Sequence, residues 1–517
     1  MHPLHDLSRR HFLRQASAWS ALAGTAGPLA LNLAALGSAA AQGTGEYRAL
    51  VCLFLYGGND AFNMVLPLDR ANWRAYTSTR TQAPDPVALL YPGTPAVASA
   101  PAGSPERLGG VLPLLSSQRS ANLGLHPLLG SLQTLYDNPR RLAIVSNVGP
   151  LVMPTTKAQY ALAMHPKPLR LFSHNDQQNT WQALGPEGTT VGWAGRMGDL
   201  LAAQNARPVF TAISASGNAV WLTGNTVRQY QVNTSGAVPL GVNSAGAVFG
   251  SADVGAALQR LVAQATSAHP FDGDVGAVAQ RSIEAEAVLR TALRAPSDPA
   301  FGTPPATGAY NASNDPKLRY DNPLTGATAA NNLAQQFQVV ARLIDAGLRG
   351  SSGCNRQVFF VSMGGFDTHD FQNRNQADLM ARLAHAMKYF DDTLGNLNAR
   401  AQVTTFTASD FGRTFTSNGD GTDHGWGAHH FVMGGAVRGG QVVGRVPQLS
   451  VKNATNNNFD GSPDQLGNGS LLPQISVDQL GSTLGRWLGL SDEALLTIFP
   501  NLANFNANVR NLGFMEM

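Results

Sequence analysis

Acidic and histidine side chains follow several short apolar segments of the chain, and their types suit metal binding. Asp60 follows two glycines and an asparagine at the end of the first such segment, and Asp367 and His369 follow another. Asp410 comes directly after a further segment, and His424 lies a little beyond it. Carboxylate oxygens and imidazole nitrogens are common protein ligands of divalent cations. The pattern predicts a divalent metal site, with zinc, calcium, magnesium and manganese all left open.

Neighbouring residues extend this chemistry from binding to reaction. Arg413 lies close behind Asp410, where it would either bind an oxyanion through two hydrogen bonds or pair with Asp410 itself. His429 and His430 begin an apolar segment, so the alternation of strand side chains predicts one imidazole facing the sheet and the other facing the loop. A cation in such a crevice activates an oxygen nucleophile and polarises an ester of phosphate or sulfate.

Each of these residues also has an ordinary structural interpretation. Asp60 suits a turn, and Asp367 suits the N-terminal cap of a helix. His424, between an aspartate and a glycine, suits a loop histidine. Three of the four segments lie directly at the ends of predicted strands, which favours one shared site over separate turns.

Buried strands alternating with helices are the elements that must position these residues. Continuous apolar runs predict strands at residues 48–56, 141–148, 356–363 and 402–408. Apolar residues at helical spacing predict helices at about residues 333–348, 376–398 and 478–489. The alternation predicts an α/β fold with a mostly parallel central sheet sandwiched by helices, in which ligands gather beyond the carboxyl ends of the strands.

The rest of the chain is predicted to be loop-rich. Residues 78–106, 296–330 and 450–470 lack periodicity and are rich in Pro, Ala, Gly and Asn, which predicts surface loops. Residues 252–294 have helical spacing, so we expect a helical and loop insertion at about residues 215–330. Residues 42–517 are otherwise predicted to form one domain.

The N-terminal residues have the order of features found in an export signal. Arg9 and Arg10 precede an Ala- and Gly-rich apolar stretch that ends in three alanines at 39–41, a cleavage signal. Paired arginines indicate the twin-arginine route. Residues 1–41 are therefore predicted to be a signal peptide for the twin-arginine translocation machinery. We expect a periplasmic or extracellular protein with no stable membrane span after cleavage.

Composition excludes several function classes. The formal net charge is only +3 and the chain has no basic stripe, which argues against nucleic-acid binding. Two cysteines, Cys52 and Cys354, cannot form a disulfide framework, although a single disulfide between them stays open. The absence of a strand-linked GxGxxG motif and of a cysteine cluster gives little support to a redox enzyme.

The motifs also occur together in a known family. The leader is followed by LVCLFLYGGND, GLHPLL, the Ser173-His174 segment, SMGGFDTHDFQ, SDFGRT, GTDHG, GGAVRGGQVVG and LGRWLGL. In this order they resemble, nearly end to end, the twin-arginine-exported family known as domain of unknown function 1501. That family is similar to the alkaline-phosphatase-like superfamily, which includes phosphatases, sulfatases and cofactor-independent phosphoglycerate mutases.

The resemblance implies roles for individual residues. It implies a one-metal or two-metal centre and a serine or threonine nucleophile, with Ser173 first and Thr180 second. The implied metal ligands are Asp60 on the first strand, Asp367 and His369 in one site, Asp410 in the other, and His424 as the late histidine. Phe411 stands where the superfamily often has histidine, and Asp370 or another histidine is an implied substitute ligand. The sulfatase formylglycine signature is absent.

These observations together predict a metal-dependent hydrolase that acts on a small anionic ester of phosphate or sulfate. Ser173, His174 and Arg413 are its predicted catalytic residues. The alternative is a non-catalytic envelope or ligand-binding protein that keeps the hydrolase fold, which the departures from the superfamily pattern favour.

Overall fold

A ten-stranded sheet forms the centre of the protein. The computed structural model describes residues 46–82, 84–115, 122–237, 247–248, 250–263, 270–456 and 458–516. The strands of the central sheet are numbered in chain order: β1 (Arg48–Leu55), β2 (Leu142–Gly149), β3 (Ala212–Ser214), β4 (Tyr230–Asn233), β5 (Gly236–Ala237), β6 (Arg356–Met363), β7 (Val403–Ser409), β8 (Ala428–Gly434), β9 (Val442–Val443) and β10 (Ile475–Ser476). Their spatial order is β9-β2-β8-β7-β1-β6-β3-β4-β5, and β10 also pairs with β2.

The sheet is mostly parallel, as predicted. β1 lies between β7 and β6 and is parallel to both. β8 is antiparallel to β7 and β2, and β5 is antiparallel to β4. The four predicted strands correspond to β1, β2, β6 and β7 within two residues at each end. Continuous apolar runs form these strands because both faces of a helix-covered sheet are buried.

Helices cover the sheet. Those of seven or more residues are α1 (Arg70–Arg80), α2 (Gly130–Asp137), α3 (His174–Ala183), α4 (Trp193–Leu201), α5 (Ala252–Ala263), α6 (Pro270–Ala292), α7 (Asn332–Leu348), α8 (Gln372–Asn396), α9 (Val477–Leu488) and α10 (Asp492–Ile498). Shorter α-helices are Ala61–Met64, Pro105–Leu108 and Lys157–Tyr160. The 3-10 helices are Ala202–Gln204, Pro208–Phe210, Val220–Leu222, Ala312–Asn314, Pro316–Leu318, Arg400–Gln402, Gly467–Gly469, Pro500–Asn504 and Ala507–Val509.

Side chains of β1 alternate between two apolar layers. Val51 and Leu53 belong to one buried cluster, which includes Phe337 of α7 and Phe390 of α8. Leu50, Cys52 and Phe54 belong to the other, which includes Trp193 of α4 and Trp487 of α9. The result is the predicted sandwich of helices, sheet and helices. Cys52 and Cys354 lie in different clusters and are both free, so the disulfide left open by the sequence does not form.

Small sheets and hairpins fill the connections. Within the described part of the chain, three short sheets lie outside the central one: Arg413–Ser417 with Thr422–His424, Arg319–Asp321 with Thr328–Ala330, and Val65–Pro67 with Leu123–Leu125 and Leu112–Pro113. The predicted loops 78–106, 296–330 and 450–470 are mostly irregular but include short helices and the 319–330 hairpin. Residues 252–294 contain α5 and α6, as their spacing predicts.

Two sequence predictions concern the membrane and export. The predicted signal peptide, residues 1–41, lies outside the described residues. Among the residues that the structure describes, no helix combines the length and apolar character needed to cross a bilayer.

Candidate functional site

The carboxyl ends of three adjacent central strands, β7, β1 and β6, form the floor of the candidate site. The last residue of β1, Leu55, is level with Ser409 of β7 and Met363 of β6. Asp410 follows β7 directly, and the loop after β6 carries Asp367. This is the edge of a parallel sheet at which α/β proteins bind their ligands.

The two glycines after β1 allow the neighbouring loops to come close. A Cβ on Gly57 would lie 2.3 Å from the backbone nitrogen of Asp367, and one on Gly58 would lie 2.3 Å from the ring of Phe411. Both have positive φ, 114° and 85°, which favours glycine. The glycines therefore make room for neighbouring protein atoms.

Two histidines and one aspartate form a candidate metal cluster at this edge. One ligand atom each from His174, Asp367 and His424 lies within 4.8 Å of the other two. Each Nε2 of His174 and His424 is 3.5 Å from the Asp367 carboxylate. The Nε2 of His369 adjoins the cluster, 3.0 Å from Asp367 and 3.1 Å from the Nε2 of His424. The sequence predicted Asp367, His369 and His424 as ligands, but assigned His174 to catalysis.

The Nδ1 atom of each histidine contacts a protein oxygen on the outer side of the cluster. The Nδ1 of His174 lies 2.7 Å from Asp410 Oδ2, and the Nδ1 of His424 donates to the carbonyl oxygen of Phe172 at 2.7 Å. The Nδ1 of His369 lies 3.3 Å from Asp423. Such outer partners fix ring orientation and leave Nε2 free to bind a metal.

Protonation preferences within the cluster differ from residue to residue. Partial burial lowers the pKa of His424, so its ring is neutral at pH 7 and its Nε2 presents a lone pair to the cluster. The hydrogen bond to Asp410 raises the pKa of His174. Burial alone would raise the pKa of Asp367, but the hydrogen bond and charge of Arg413 and the nearby imidazoles outweigh it and lower the pKa.

A divalent cation fits this donor set. The Nε2 lone pair of His424 and the oxygens of Asp367 are acceptors that lie close enough to bind one cation together. Two imidazoles and one carboxylate also match the three protein ligands found in many catalytic zinc sites. Imidazole nitrogens favour zinc and related transition metals over calcium and magnesium.

Arg413 neutralises Asp367, so neither role considered for it in the sequence holds. Its Nη1 donates to Asp367 Oδ1 at 2.7 Å and to the carbonyl oxygen of Gly57 at 3.2 Å. The remaining donors bond to Thr422, and the side chain is fully buried. Four of its five N–H groups are hydrogen-bonded within the protein, and full burial keeps Arg413 out of reach of a substrate oxyanion. Arg413 also does not pair with Asp410.

Asp60 lies outside the cluster, in a buried ion pair with Arg80. Its carboxylate accepts from both terminal nitrogens of Arg80, at 2.5 and 3.1 Å, and from Gln372 at 2.6 Å. It also accepts from the backbone nitrogen of Phe62 and so caps a short helix. These partners saturate the carboxylate, so the structure gives Asp60 a structural role in place of the metal-ligand role.

Asp410 contacts the cluster through His174. Its Oδ2 accepts from His174, from Gln178 at 2.8 Å and from the backbone nitrogen of Gly57 at 3.1 Å. Its Oδ1 is buried without a hydrogen-bond partner among the described residues. His174 and Gln178 are four residues apart on α3, so they share one helix face. That spacing was the available sequence signal for their common partner.

The other predicted residues lie away from the cluster or outside its ligand set. The Ser173 hydroxyl donates to Asp176 at 2.9 Å, and the Thr180 hydroxyl donates to the backbone carbonyl of Asp176 at 2.7 Å. Asp370 is exposed and does not belong to the three-residue ligand set. His174 is the further histidine that joins the candidate ligand set.

His429 and His430 are both buried in β8, which corrects the prediction that one of them faces the loop. The Nδ1 of His429 accepts from the backbone nitrogen of Asn147, and the Nδ1 of His430 lies 3.3 Å from the Thr407 hydroxyl. Burial lowers their pKa values to about 4 and about 3. Neither belongs to the metal cluster, because the sheet is covered on both faces at this point.

Comparisons with known proteins place the chain in a family. No functionally curated protein matches it. A solved structure of Ps i-CgsB aligns with a TM-score of 0.32 at 9% identity, over 89% of this chain and 77% of that one. A complex of Ps i-CgsB with k-i-k-neocarrahexaose aligns with a TM-score of 0.30 at 8% identity, over the same shares. TM-scores this low are not evidence of a shared fold or function. The family described as "Protein of unknown function (DUF1501)" matches residues 47–496, so the chain belongs to the DUF1501 family.

Proposed function

We propose that this protein is a metal-dependent hydrolase of phosphate or sulfate esters. The observation that carries the proposal is the convergence of His174, Asp367 and His424 at the carboxyl ends of the central strands. The side chain of Asp367 is 44% exposed and that of His424 is 26% exposed, so substrate and solvent reach the cluster. Zinc or a related transition metal is the proposed cofactor.

The charges around the cluster favour an anionic substrate. Asp367 and Asp410 carry two negative charges, and Arg413 carries one positive charge. A divalent cation would offset these charges together with that of Asp423 at the rim, and the cation itself would present positive charge to a small anionic ester. When bound, the cation would lower the pKa of a water molecule and polarise the ester oxygen.

The chain's own residues would orient the reaction and move its proton. Asp410 and the Phe172 carbonyl hold the rings of His174 and His424 with Nε2 directed inward. His369, backed by Asp423, is the proposed proton acceptor, because its Nε2 lies at the edge of the ligand set. The hydroxyls of Ser173 and Thr180 are directed elsewhere, so we propose water as the nucleophile in place of either side chain.

Metal content and ester hydrolysis, measured on the same samples, test the proposal. We expect purified protein to bind zinc and to hydrolyse p-nitrophenyl phosphate or p-nitrophenyl sulfate. Asp367→Ala and His424→Ala should lose the metal and the activity together. His369→Ala should keep the metal and lower kcat by about 10²–10⁴-fold, as expected for loss of a general base.

Matched controls come from outside the site. Asp392 has a similarly exposed side chain (51%) and His385 is half-buried, and Asp392→Ala and His385→Ala should keep both metal and activity. Well-folded wild-type protein that binds no divalent cation would contradict the proposal.

A second candidate is a ligand-binding protein that has the metal site without turnover. The specific observation in its favour is that neither predicted nucleophile, Ser173 nor Thr180, hydrogen-bonds to the cluster. Wild-type protein that binds zinc and phosphate, yet hydrolyses no ester, would favour this candidate.

We also propose export through the twin-arginine machinery to the periplasm or beyond. The support is the sequence alone, chiefly Arg9 and Arg10. Replacing both with lysine should retain the precursor inside the cell, as measured by fractionation and immunoblotting. Unchanged export of this variant would contradict the proposed route.

A further inference from the structure

Arg413, for which oxyanion binding was one of two expected roles, is fully buried and hydrogen-bonded to Asp367, Gly57 and Thr422. The rim of the cluster is acidic, because Asp370 and Asp423 are both exposed in addition to Asp367. An anionic ester would therefore need a cationic side chain from another part of the protein. The turn that precedes α3 supplies one.

This turn, residues 170–173, contacts the cluster directly. The backbone nitrogen of Ser173 donates to the carbonyl oxygen of Arg170 at 3.3 Å, which closes a four-residue turn. Phe172, in its third position, has a φ of 71°, as a type II turn requires, although glycine or asparagine usually occupies that position. The conformation directs the Phe172 carbonyl to His424 Nδ1 at 2.7 Å. Contact with the cluster compensates for the unfavourable backbone conformation.

The backbone of Arg170 is therefore held near His424, on the outer side of the cluster. Its Cα lies at most about 7.6 Å from that of Phe172, because consecutive Cα atoms are 3.8 Å apart. An arginine side chain covers a comparable distance. Its own φ of 49° is also left-handed, and its side chain is 70% exposed.

The guanidinium of Arg170 is weakly engaged in the structure. Its nearest acidic partner, Asp176, lies 3.7 Å away, beyond hydrogen-bond distance. Asp176 is already satisfied by the Ser173 hydroxyl at 2.9 Å and the backbone nitrogen of Glu187 at 3.1 Å. Arg170 makes no hydrogen bond to Asp176, so the guanidinium has donors available for another oxyanion.

We propose that Arg170 binds the non-bridging oxygens of the substrate's phosphate or sulfate group beside the metal cluster. This inference rests on the proposed function and deepens it, because it assigns recognition of the anion to a named residue. A guanidinium binds such a group through two parallel hydrogen bonds, which an ammonium does not reproduce. Arg170 would not strengthen the binding of a neutral ester.

The test is inorganic phosphate binding to zinc-loaded protein, measured by isothermal titration calorimetry, with inorganic sulfate as a second probe. Arg170→Met should weaken phosphate binding about tenfold, equivalent to ~1.4 kcal/mol. The phosphate affinity of Arg170→Lys should lie between those of the wild type and Arg170→Met. Arg290→Met is the matched control, because Arg290 is 69% exposed and has a similarly long contact, 3.5 Å, with Glu286. It should bind phosphate as the wild type does.

Zinc affinity, measured first on all four proteins, separates this inference from the proposed function. Equal zinc affinity with weakened phosphate binding in Arg170→Met supports the inference. If Arg170→Met binds phosphate as tightly as the wild type, the inference is overturned and the proposed function stands. If the wild type binds zinc but neither anion, the inference also fails, whereas loss of zinc binding in the wild type overturns both.

Discussion

The buried pair of Asp60 and Arg80 gives the sharpest prediction about stability. Asp60→Asn removes the negative charge and leaves the fully buried guanidinium of Arg80 without an ionic partner. Breaking one side of a buried ion pair costs about 3–5 kcal/mol. Arg80 keeps hydrogen bonds to the carbonyl oxygens of Thr414 and Phe415. We therefore expect the lower end of that range, about 3 kcal/mol.

Urea denaturation, followed by tryptophan fluorescence, measures this change in the free energy of unfolding. Asp69→Asn is the control, because Asp69 also caps a helix and asparagine is an equally good cap. The double variant Asp60→Asn/Arg80→Met should lose less stability than the two single variants added together. Zinc binding by Asp60→Asn should remain unchanged. If Asp60→Asn has normal stability but no longer binds zinc, the structural role of Asp60 is refuted and its predicted role as a metal ligand is restored.

Further predictions concern the glycines and a buried carboxyl group. Gly57→Ala should weaken zinc binding, because the added Cβ would lie 2.3 Å from the backbone nitrogen of Asp367 and displace that ligand. Titration with a zinc indicator measures the affinity, and an unchanged zinc affinity would contradict the geometry. Burial raises the pKa of Asp478 from 3.8 to about 6. The native state therefore holds this proton more tightly than the unfolded chain does, and the contribution of Asp478 to stability falls as pH rises from about 4 to about 6. Asp478→Asn should then raise the free energy of unfolding by up to about 3 kcal/mol at pH 8 and hardly at all at pH 4. Urea denaturation at both pH values measures this, and an equal effect at the two pH values would refute the prediction.

The sequence predicted much of the fold because the central strands are buried on both faces. The apolar runs of β1 and β6 have no polar alternation, whereas the threonines of β7 make its pattern weaker. The polar residues that follow these strands mark the carboxyl edge of the sheet. Asp367 was identified as a candidate ligand in this way. Local sequence patterns were sufficient for these predictions.

Tertiary pairing decided the roles that the sequence missed. Asp60 pairs with Arg80, which ends α1 at the start of a segment predicted to be a loop, and no local pattern indicates that contact. The Phe172 carbonyl holds His424, but a main-chain atom leaves no signal in residue type. His174 was assigned to catalysis together with Ser173, whereas the helix geometry of α3 directs its ring to Asp410.

The central claim is that a divalent cation binds where His174, Asp367 and His424 converge. Anomalous diffraction at the zinc edge, from crystals of the zinc-loaded protein, tests it most directly. The account predicts one strong peak about 2.0–2.2 Å from the Nε2 atoms of His174 and His424 and from an Asp367 oxygen. A peak beside Asp60, or no peak at this edge of the sheet, would contradict it.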